Sequence, residues 1–273
     1  MSNSRIPTFS FSFLILWVLI GTELAKSDQF LTLASTTSTR DSGLLDSILP
    51  MFTKESGIEV RVLAIGTGQA IRLAKNGDAD VLLVHHQKSE KAFVESGFGV
   101  KRYEVMHNDF VLIGPSSDPA GINGMQDIIK ALSRIAENES LFVSRGDDSG
   151  TNKKERDLWL MAGIDKSLQS SEWYIESGSG MGATLNIAVA MNSYILSDRG
   201  TWLAFKNKGT LKILVQNDKH MRNPYGVILV NPARHPHIKA SQGQKLIDWL
   251  ISKKGKKAIS DFTINGEQLF KVN

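Results

Sequence analysis

Ser144-Arg145-Gly146-Asp147-Asp148-Ser149-Gly150-Thr151 is the most informative stretch of this sequence. It follows the short apolar run Leu141-Phe142-Val143 and precedes a segment of helical composition. A strand that turns into a helix through such residues presents backbone N–H groups, hydroxyls and one guanidinium at a single point. The pattern therefore predicts an anion-binding turn between a strand and a helix.

Two other turns resemble this one in composition. The apolar run at 30–34 leads into Ser35-Thr36-Thr37-Ser38-Thr39 and then into an apolar-periodic helix. Gly66-Thr67-Gly68 joins a predicted strand at 58–65 to a predicted helix at 69–75. The turns that follow the apolar runs at 30–34 and 141–143 together suggest two halves that close on one anion. The alternative is that Ser35 to Ser38 only cap the following helix, which is a common role of these residues.

A glycine-rich segment at 176–184 precedes a predicted helix at 185–191. Glycines at alternate positions permit a close approach of the backbone, so the amides of Gly180, Met181 and Gly182 are candidate anion donors. The G-x-G-x-G spacing differs from the G-x-G-x-x-G pattern of dinucleotide-binding turns. A nucleotide cofactor is therefore not expected, and no other cofactor is indicated.

Short apolar runs alternate with helical periodicity, which is typical of an α/β fold. The segments 108–115 and 223–232 are alike, because each is an apolar strand opened by a polar residue and closed by proline. They predict two crossover strands between a discontinuous first lobe, 28–110 plus 226–273, and an inserted second lobe, 111–225. Two ordinary strands of a single domain would give the same pattern.

The composition of residues 1–27 predicts a signal peptide. Arg5 supplies a positive charge, 9–20 is an apolar run, and Ala25-Lys26-Ser27 fits small-x-small cleavage near Ser27/Asp28. A retained membrane anchor is the alternative, but a spanning helix needs about 20 apolar residues and the run at 9–20 is shorter. The sequence has no cysteine, so a lipid anchor on cysteine, disulfides and thiolate metal sites are excluded. We expect a periplasmic protein.

Charge and histidine placement exclude two further classes. The formal net charge is +4, but Lys and Arg are interspersed with acidic residues, so a nucleic-acid partner is not expected. His85 and His86 are adjacent and cannot both face one ion from a strand, while His235 and His237 flank Pro236. For all four we expect a surface or capping role, and no metal cation site.

A set of motifs resembles those of the tungstate-binding proteins of ABC transporters. In order, they are A-S-T-T-S-T-R-D-S-G-L-L-D, G-T-G, G-D-A-D-V-L-L-V-H, N-D-F-V-L-I-G-P, S-R-G-D-D-S-G-T, G-S-G-M-G-A-T-L-N and S-D-R-G-T-W. The resemblance runs from about Leu31 to about Pro232. It implies a type II periplasmic binding protein, in which two α/β lobes joined by two crossover strands hold the ligand in the cleft between them.

The same resemblance implies the ligand and its contacts. The ligand would be tungstate, with molybdate as its competitor, and the partner an ABC permease in the inner membrane; we expect the chain to act as a monomer. The family's ligand positions, carried over by motif, are Thr36, Thr37, Ser38, Arg145 and Thr151. Such a dianion has oxygens that only accept hydrogen bonds, so its site needs donors. Thr67 is a further candidate on that ground, beside the amides at 180–182.

Two alternatives stay open on the sequence alone. A phosphate-binding protein of the same architecture would need one carboxylate acceptor for the ligand's proton, and Asp41, Asp147 or Asp148 could supply it. A secreted serine hydrolase is the second, but Gly178-Ser179-Gly180 lacks the G-x-S-x-G spacing. We therefore expect a binding protein and not an enzyme.

Overall fold

A computed structural model describes residues 29–164, 172–264 and 266–272. The predicted signal peptide at 1–27, and its cleavage point, lie outside these residues. Within them, no helix combines the length and the apolar character needed to cross a membrane.

The helices and strands follow the predicted α/β alternation. The first part of the chain forms β1 (Phe30–Thr36), α1 (Thr37–Asp41), α2 (Leu44–Ser56), β2 (Glu59–Ile65), α3 (Thr67–Asn76), β3 (Val81–Val84), α4 (Gln87–Glu95) and β4 (Gly99–Pro115). The central part forms α5 (Ile128–Glu137), β5 (Phe142–Ser144), α6 (Gly150–Met161), β6 (Tyr174–Glu176), α7 (Met181–Met191), β7 (Ile195–Asp198), α8 (Arg199–Ala204) and β8 (Leu211–Val215). The last part forms β9 (Arg222–Val230), α9 (Ala240–Ile251), α10 (Lys253–Asp261), β10 (Thr263–Ile264) and β11 (Glu267–Gln268).

The main sheet has seven strands in the order β2-β1-β3-β9-β4-β7, with β8 also paired to β4. β1 is parallel to both β2 and β3, whereas β9 is antiparallel to β3 and β4. Because β1 to β3 are parallel, their carboxyl ends lie at one edge of the sheet. The turns after β1 and β2 and the residue after β3 therefore converge there.

Two long strands connect the parts of the molecule. The amino-terminal part of β4 pairs with β9, including Asn108 opposite Asn223, while its last residues pair with β7 and β8. One hydrophobic cluster, the first core, draws its buried residues from 31–106 and 225–270. Two further clusters, together the second core, draw theirs from 110–221. The lobe boundaries 28–110, 111–225 and 226–273 stay a prediction; Phe110 packs in the second core and Tyr225 in the first, each across the predicted boundary.

Three helices begin at other residues than their periodicity predicts. The helix predicted at 69–75 begins at Thr67, and the one predicted at 185–191 begins at Met181. The composition of 125–136 also predicts a helix, which begins only at Ile128, because the side chain of Asp127 accepts a hydrogen bond from the Lys130 N–H and caps it. Thr67 and Met181 thus stand in the first turn of a helix, where backbone N–H groups have no helical acceptor.

Glu155 is a buried carboxyl on α6, only 1% exposed, behind the turn at 144–151. The Tyr174 hydroxyl donates to its Oε1 at 2.6 Å. Burial raises the pKa of Glu155 from 4.5 to about 7. The folded protein therefore retains this proton in a pH range where the unfolded chain has released it.

We predict that Glu155 makes stability fall as the pH rises from about 4.5 to 7. In that window the unfolded state loses the proton more easily than the folded state, which lowers the free energy of unfolding by up to about 3 kcal/mol. Glu155→Gln can still accept from Tyr174 but does not titrate. In urea unfolding at pH 5 and pH 8, the variant should gain stability relative to wild type at the higher pH. An equal pH dependence of the two proteins would contradict this.

Candidate functional site

The hydroxyl-rich turn at the end of β1 is folded back on itself. Thr36 is the N-cap of α1 and accepts from the Thr39 N–H at 3.3 Å. Its Oγ1 also lies 2.6 Å from Thr39 Oγ1 and 3.1 Å from Ser38 Oγ. Thr36 and Ser38 are buried, whereas Thr37, the first residue of α1, is half-buried. The capping role considered for this segment is therefore correct for Thr36, and it holds the hydroxyls in one cluster.

Thr67 lies at the adjacent turn, after β2. It is fully buried as the first residue of α3. Its Oγ1 has no hydrogen-bond partner among the residues that the structure describes.

The turn after β5 carries Arg145 and Thr151, both almost completely buried. Gly146 and Asp148 have φ values of 62° and 57°, a left-handed conformation that bends the chain sharply before α6. Nη2 of Arg145 donates to Asp147 Oδ2 at 2.6 Å. Its Nε, like Thr151 Oγ1, contacts no acceptor within the described ranges. Arg145 is thus ion-paired through Nη2, while its Nε–H has no acceptor among the described residues.

The turns at 66–68 and 147–151 touch each other. The Gly68 N–H donates to the Asp148 carbonyl at 3.4 Å. A Cβ built on Gly150 would lie 2.9 Å from Thr67 Oγ1 and 2.7 Å from His85 Cε1, so only glycine permits this approach. His86 Nε2 and Asp157 Oδ2, 3.3 Å apart, add a second contact between residues flanking the two cores. The predicted donors of the two cores are therefore neighbours.

Unpartnered buried donors are concentrated at this junction. Eight buried side-chain N or O atoms have no partner in the part of the chain that is described, and three of them belong to Thr67, Arg145 and Thr151. Leaving such a group unsatisfied costs about 1 to 3 kcal/mol. Native structures satisfy most buried polar atoms, so a cluster of exceptions needs an explanation. A bound group that accepts hydrogen bonds would satisfy all three.

The expected role of His85 is wrong. His86 does cap α4, through its side chain and the Ser89 N–H, but His85 is 4% exposed, with Nε2 3.1 Å from Ser38 Oγ. Its ring stacks on Tyr225 with 4.8 Å between the centroids. Adjacent side chains of an extended segment point to opposite sides, so one histidine turns outward and the other inward. His85 is thus a buried member of this junction that sequence reasoning missed.

Burial lowers the pKa of His85 from 6.5 to about 4, and the nearby Arg145 guanidinium acts in the same direction. The imidazole is therefore neutral at neutral pH. Its Nδ1 lies 3.0 Å from Asn223 Oδ1. Ser38, His85 and Asn223 thus have the connectivity of a nucleophile–base–amide triad. An imidazole that loses its proton so readily is a weak base for serine, and the buried serine faces hydroxyls.

The glycine-rich segment lies beside the turn at 144–151. The Ser177 N–H donates to the Ser144 carbonyl at 2.9 Å, and its Oγ donates to the Arg145 carbonyl at 3.2 Å. Gly180 is the N-cap of α7, and both it and Gly182 are exposed. The side chain of Met181 packs in the second core. No hydrogen bond among the described residues joins these amides to Thr36, Ser38 or Thr67, and their role as donors stays a prediction.

Each of the three candidate carboxylate acceptors already has a cationic partner. Asp41 pairs with Arg40 at the surface, and Asp147 accepts from Arg145 and from the Ser149 N–H. Asp148 is half exposed and pairs with Lys153 and Arg72. Within the described ranges, no group of three or more His, Asp or Glu residues could hold a metal ion.

Comparison with known proteins gives one consistent family. A family model described as a PBP superfamily domain matches residues 22–254. The tungstate-binding protein TupA of Peptoclostridium acidaminophilum is 46% identical over 242 residues, which cover 88% of this chain and 84% of that protein.

Two solved structures have the same fold. The tungstate-binding protein TupA from Desulfovibrio alaskensis G20 superposes with a TM-score of 0.79 at 44% identity, covering 89% of this chain and 98% of that chain. The tungstate ABC transporter structure from Geobacter sulfurreducens gives 0.77 at 47% identity, covering 86% and 99%. The mixed α/β fold, the shared motifs and these identities agree, and the chain belongs to the tungstate-binding protein family of the PBP superfamily.

Proposed function

We propose that this chain is the solute-binding component of a tungstate ABC importer. It captures the tetrahedral oxyanion between two lobes that hinge shut at β4 and β9, and it delivers the anion to a membrane permease. The observation that carries this proposal is the set of buried, unpartnered donors on Thr67, Arg145 and Thr151. It acts by binding and release, and not as an enzyme.

The physical chemistry of the ligand supports this donor set. A fully ionised tetrahedral oxyanion offers lone pairs on every side and no proton. Thr67 and the hydroxyls of Thr36, Thr37 and Ser38 would contact it from one lobe, and Arg145 and Thr151 from the other, with the amides at 180–182 as further donors. Hydroxyls and amides satisfy the oxygens without adding several full charges. Stripping water from a dianion is costly, so the donors of both lobes must act together.

The nearby carboxylates already have hydrogen-bond or ion-pair partners, which favours tungstate over phosphate as the ligand. Phosphate that retains a proton needs an acceptor in its site, and Asp147 already accepts from Arg145 and the Ser149 N–H. Asp41 and Asp148 are paired toward solvent. A proton-free oxyanion needs no such acceptor. Molybdate has nearly the same size and charge and remains the closest competitor.

The cellular setting follows from the same proposal. The chain is exported, cleaved near Ser27/Asp28, and works in the periplasm as a monomer. Closure around the anion produces the form that docks on the permease. The contacts between the turns at 66–68 and 147–151 support such a closed arrangement.

Calorimetric titration tests the function directly. Tungstate and molybdate should bind with Kd values of about 1 μM or lower, which corresponds to roughly 8 kcal/mol of binding free energy. Phosphate should bind at least about a hundredfold more weakly, because its proton would meet only donors. Phosphate binding tighter than tungstate would favour the phosphate alternative. Hydrolysis of an ester substrate without oxyanion binding would contradict the transport proposal.

Thr67→Val and Thr151→Val should move stability and binding in opposite directions. Each removes a buried hydroxyl that lacks a partner in the described structure, so the free energy of unfolding of the ligand-free protein should stay equal or rise. Each also removes one hydrogen bond to a charged ligand, worth about 1.5 to 3 kcal/mol, so Kd for tungstate should rise roughly 10- to 150-fold.

Ser193→Ala is the matched control. Ser193 is buried near the far end of α7, and its hydroxyl donates to the Ala188 carbonyl. This variant should lose stability by about 1 kcal/mol and bind tungstate like wild type. Urea unfolding and calorimetry measure both quantities. If the two threonine variants lose stability as Ser193→Ala does and keep full affinity, their hydroxyls are structural and not ligand donors.

A further inference from the structure

A chain of side-chain hydrogen bonds runs from β4 and β9 to the hydroxyl turn after β1. Asn223 Nδ2 lies 2.7 Å from Asn108 Oδ1, and Asn223 Oδ1 lies 3.0 Å from His85 Nδ1. His85 Nε2 lies 3.1 Å from Ser38 Oγ. All four residues are at most 5% exposed. This relay, defined as Asn108, Asn223, His85 and Ser38, is buried, and His85 and Asn223 also line a pocket.

The orientation of the Asn223 amide sets the direction of the other hydrogen bonds in the relay. Because the Asn223 amide donates to Asn108, its oxygen faces His85, and Nδ1 of the imidazole must carry the proton. A neutral imidazole has only one N–H, so its Nε2 is an acceptor. The Ser38 hydroxyl therefore donates to His85. In this state His85 holds the proton of Ser38 away from the cleft.

The neighbouring hydroxyls are committed in the same direction. Thr36 Oγ1 lies 3.1 Å from Ser38 Oγ, and since the Ser38 hydroxyl donates to His85, Thr36 donates to Ser38. Thr39, 2.6 Å from Thr36, then donates to Thr36. Each hydroxyl has a single proton. None of the three has one left for a ligand that only accepts hydrogen bonds.

We propose that His85 is a positioning residue whose relay reverses when the oxyanion binds. In the bound state Nε2 carries the imidazole proton and donates to Ser38 Oγ, and the Ser38 hydroxyl donates to the anion. This inference rests on the proposed function, since it requires a ligand that accepts hydrogen bonds at this turn. In this role His85 changes the hydroxyl turn after β1 from one that accepts hydrogen bonds to one that donates them to the anion.

The reversal needs no movement of the imidazole ring, which stays stacked on Tyr225. The amides of Asn108 and Asn223 turn over, so that Asn108 Nδ2 donates to Asn223 Oδ1 and Asn223 Nδ2 donates to His85 Nδ1. Asn108 Nδ2 has no partner among the described residues in the present state and gains one in the reversed state. While the cleft is open, water gives one proton to Nε2 and takes one from Nδ1, so the net charge is unchanged.

Nitrogen NMR of the histidine side chains tests the reversal. Protein labelled with ¹⁵N histidine is observed at pH 7, free and saturated with tungstate, and His85 is assigned by the signal missing from His85→Gln. The His85 proton should reside on Nδ1 in the free protein and on Nε2 in the complex. The other five of the six histidines serve as internal controls. An unchanged tautomer, or a doubly protonated His85 in the complex, overturns the inference.

Two variants test the donor itself. His85→Gln retains an N–H that can reach Ser38, and His85→Met has similar length without a donor. In calorimetry, His85→Gln should bind tungstate within about threefold of wild type, whereas His85→Met should bind at least tenfold more weakly at a similar thermal midpoint. Equal affinities of the two variants overturn the inference. Wild type that binds tungstate without a tautomer change leaves the proposed function standing and rejects the relay alone. Wild type that binds no tungstate contradicts both.

Discussion

The structure depends on hydrogen-bond donors that are held out of water without an acceptor. Thr67, Arg145 and Thr151 are buried, and each keeps one donor unsatisfied within the described residues. Burying such a donor lowers stability unless a ligand accepts its hydrogen bond. In the proposed function a tetrahedral anion accepts from all three donors, so closure of the two lobes and binding of the anion occur together.

The fold places these donors by a simple topological rule. β1, β2 and β3 are parallel, so the turns that carry Thr36 and Thr67, and the position of His85, lie at one edge of the sheet. The turn after β5 brings Arg145 and Thr151 to the same place from the second core. β4 and β9 pass between the cores side by side, and Asn108 and Asn223 meet where these strands pair. The same two strands can therefore serve as hinge and as the base of the relay.

Much of this site is visible in the sequence, because hydroxyls and glycines at strand-to-helix turns have few other uses. The sequence predicts donors in the run at 35–39, at Thr67 and in the turn at 144–151, and their role in binding stays a prediction. His85 could not be predicted, since two adjacent histidines after an apolar strand offer no local clue to which one turns inward. Its place at the carboxyl end of β3 is the signal that could have identified it, but only with the strand order known. Similarly, Ile128 begins its helix later than periodicity predicts because the cap at Asp127 determines the first turn.

The most direct test of the account is the position of tungsten in crystals grown with tungstate, located by anomalous scattering at the tungsten absorption edge. The account predicts one strong peak between the two cores, with oxygens within hydrogen-bond distance of Thr67, Arg145 and Thr151. A peak in the basic pocket lined by Lys88, Lys154 and Lys219, with no tungsten within reach of Thr67, Arg145 and Thr151, would contradict it.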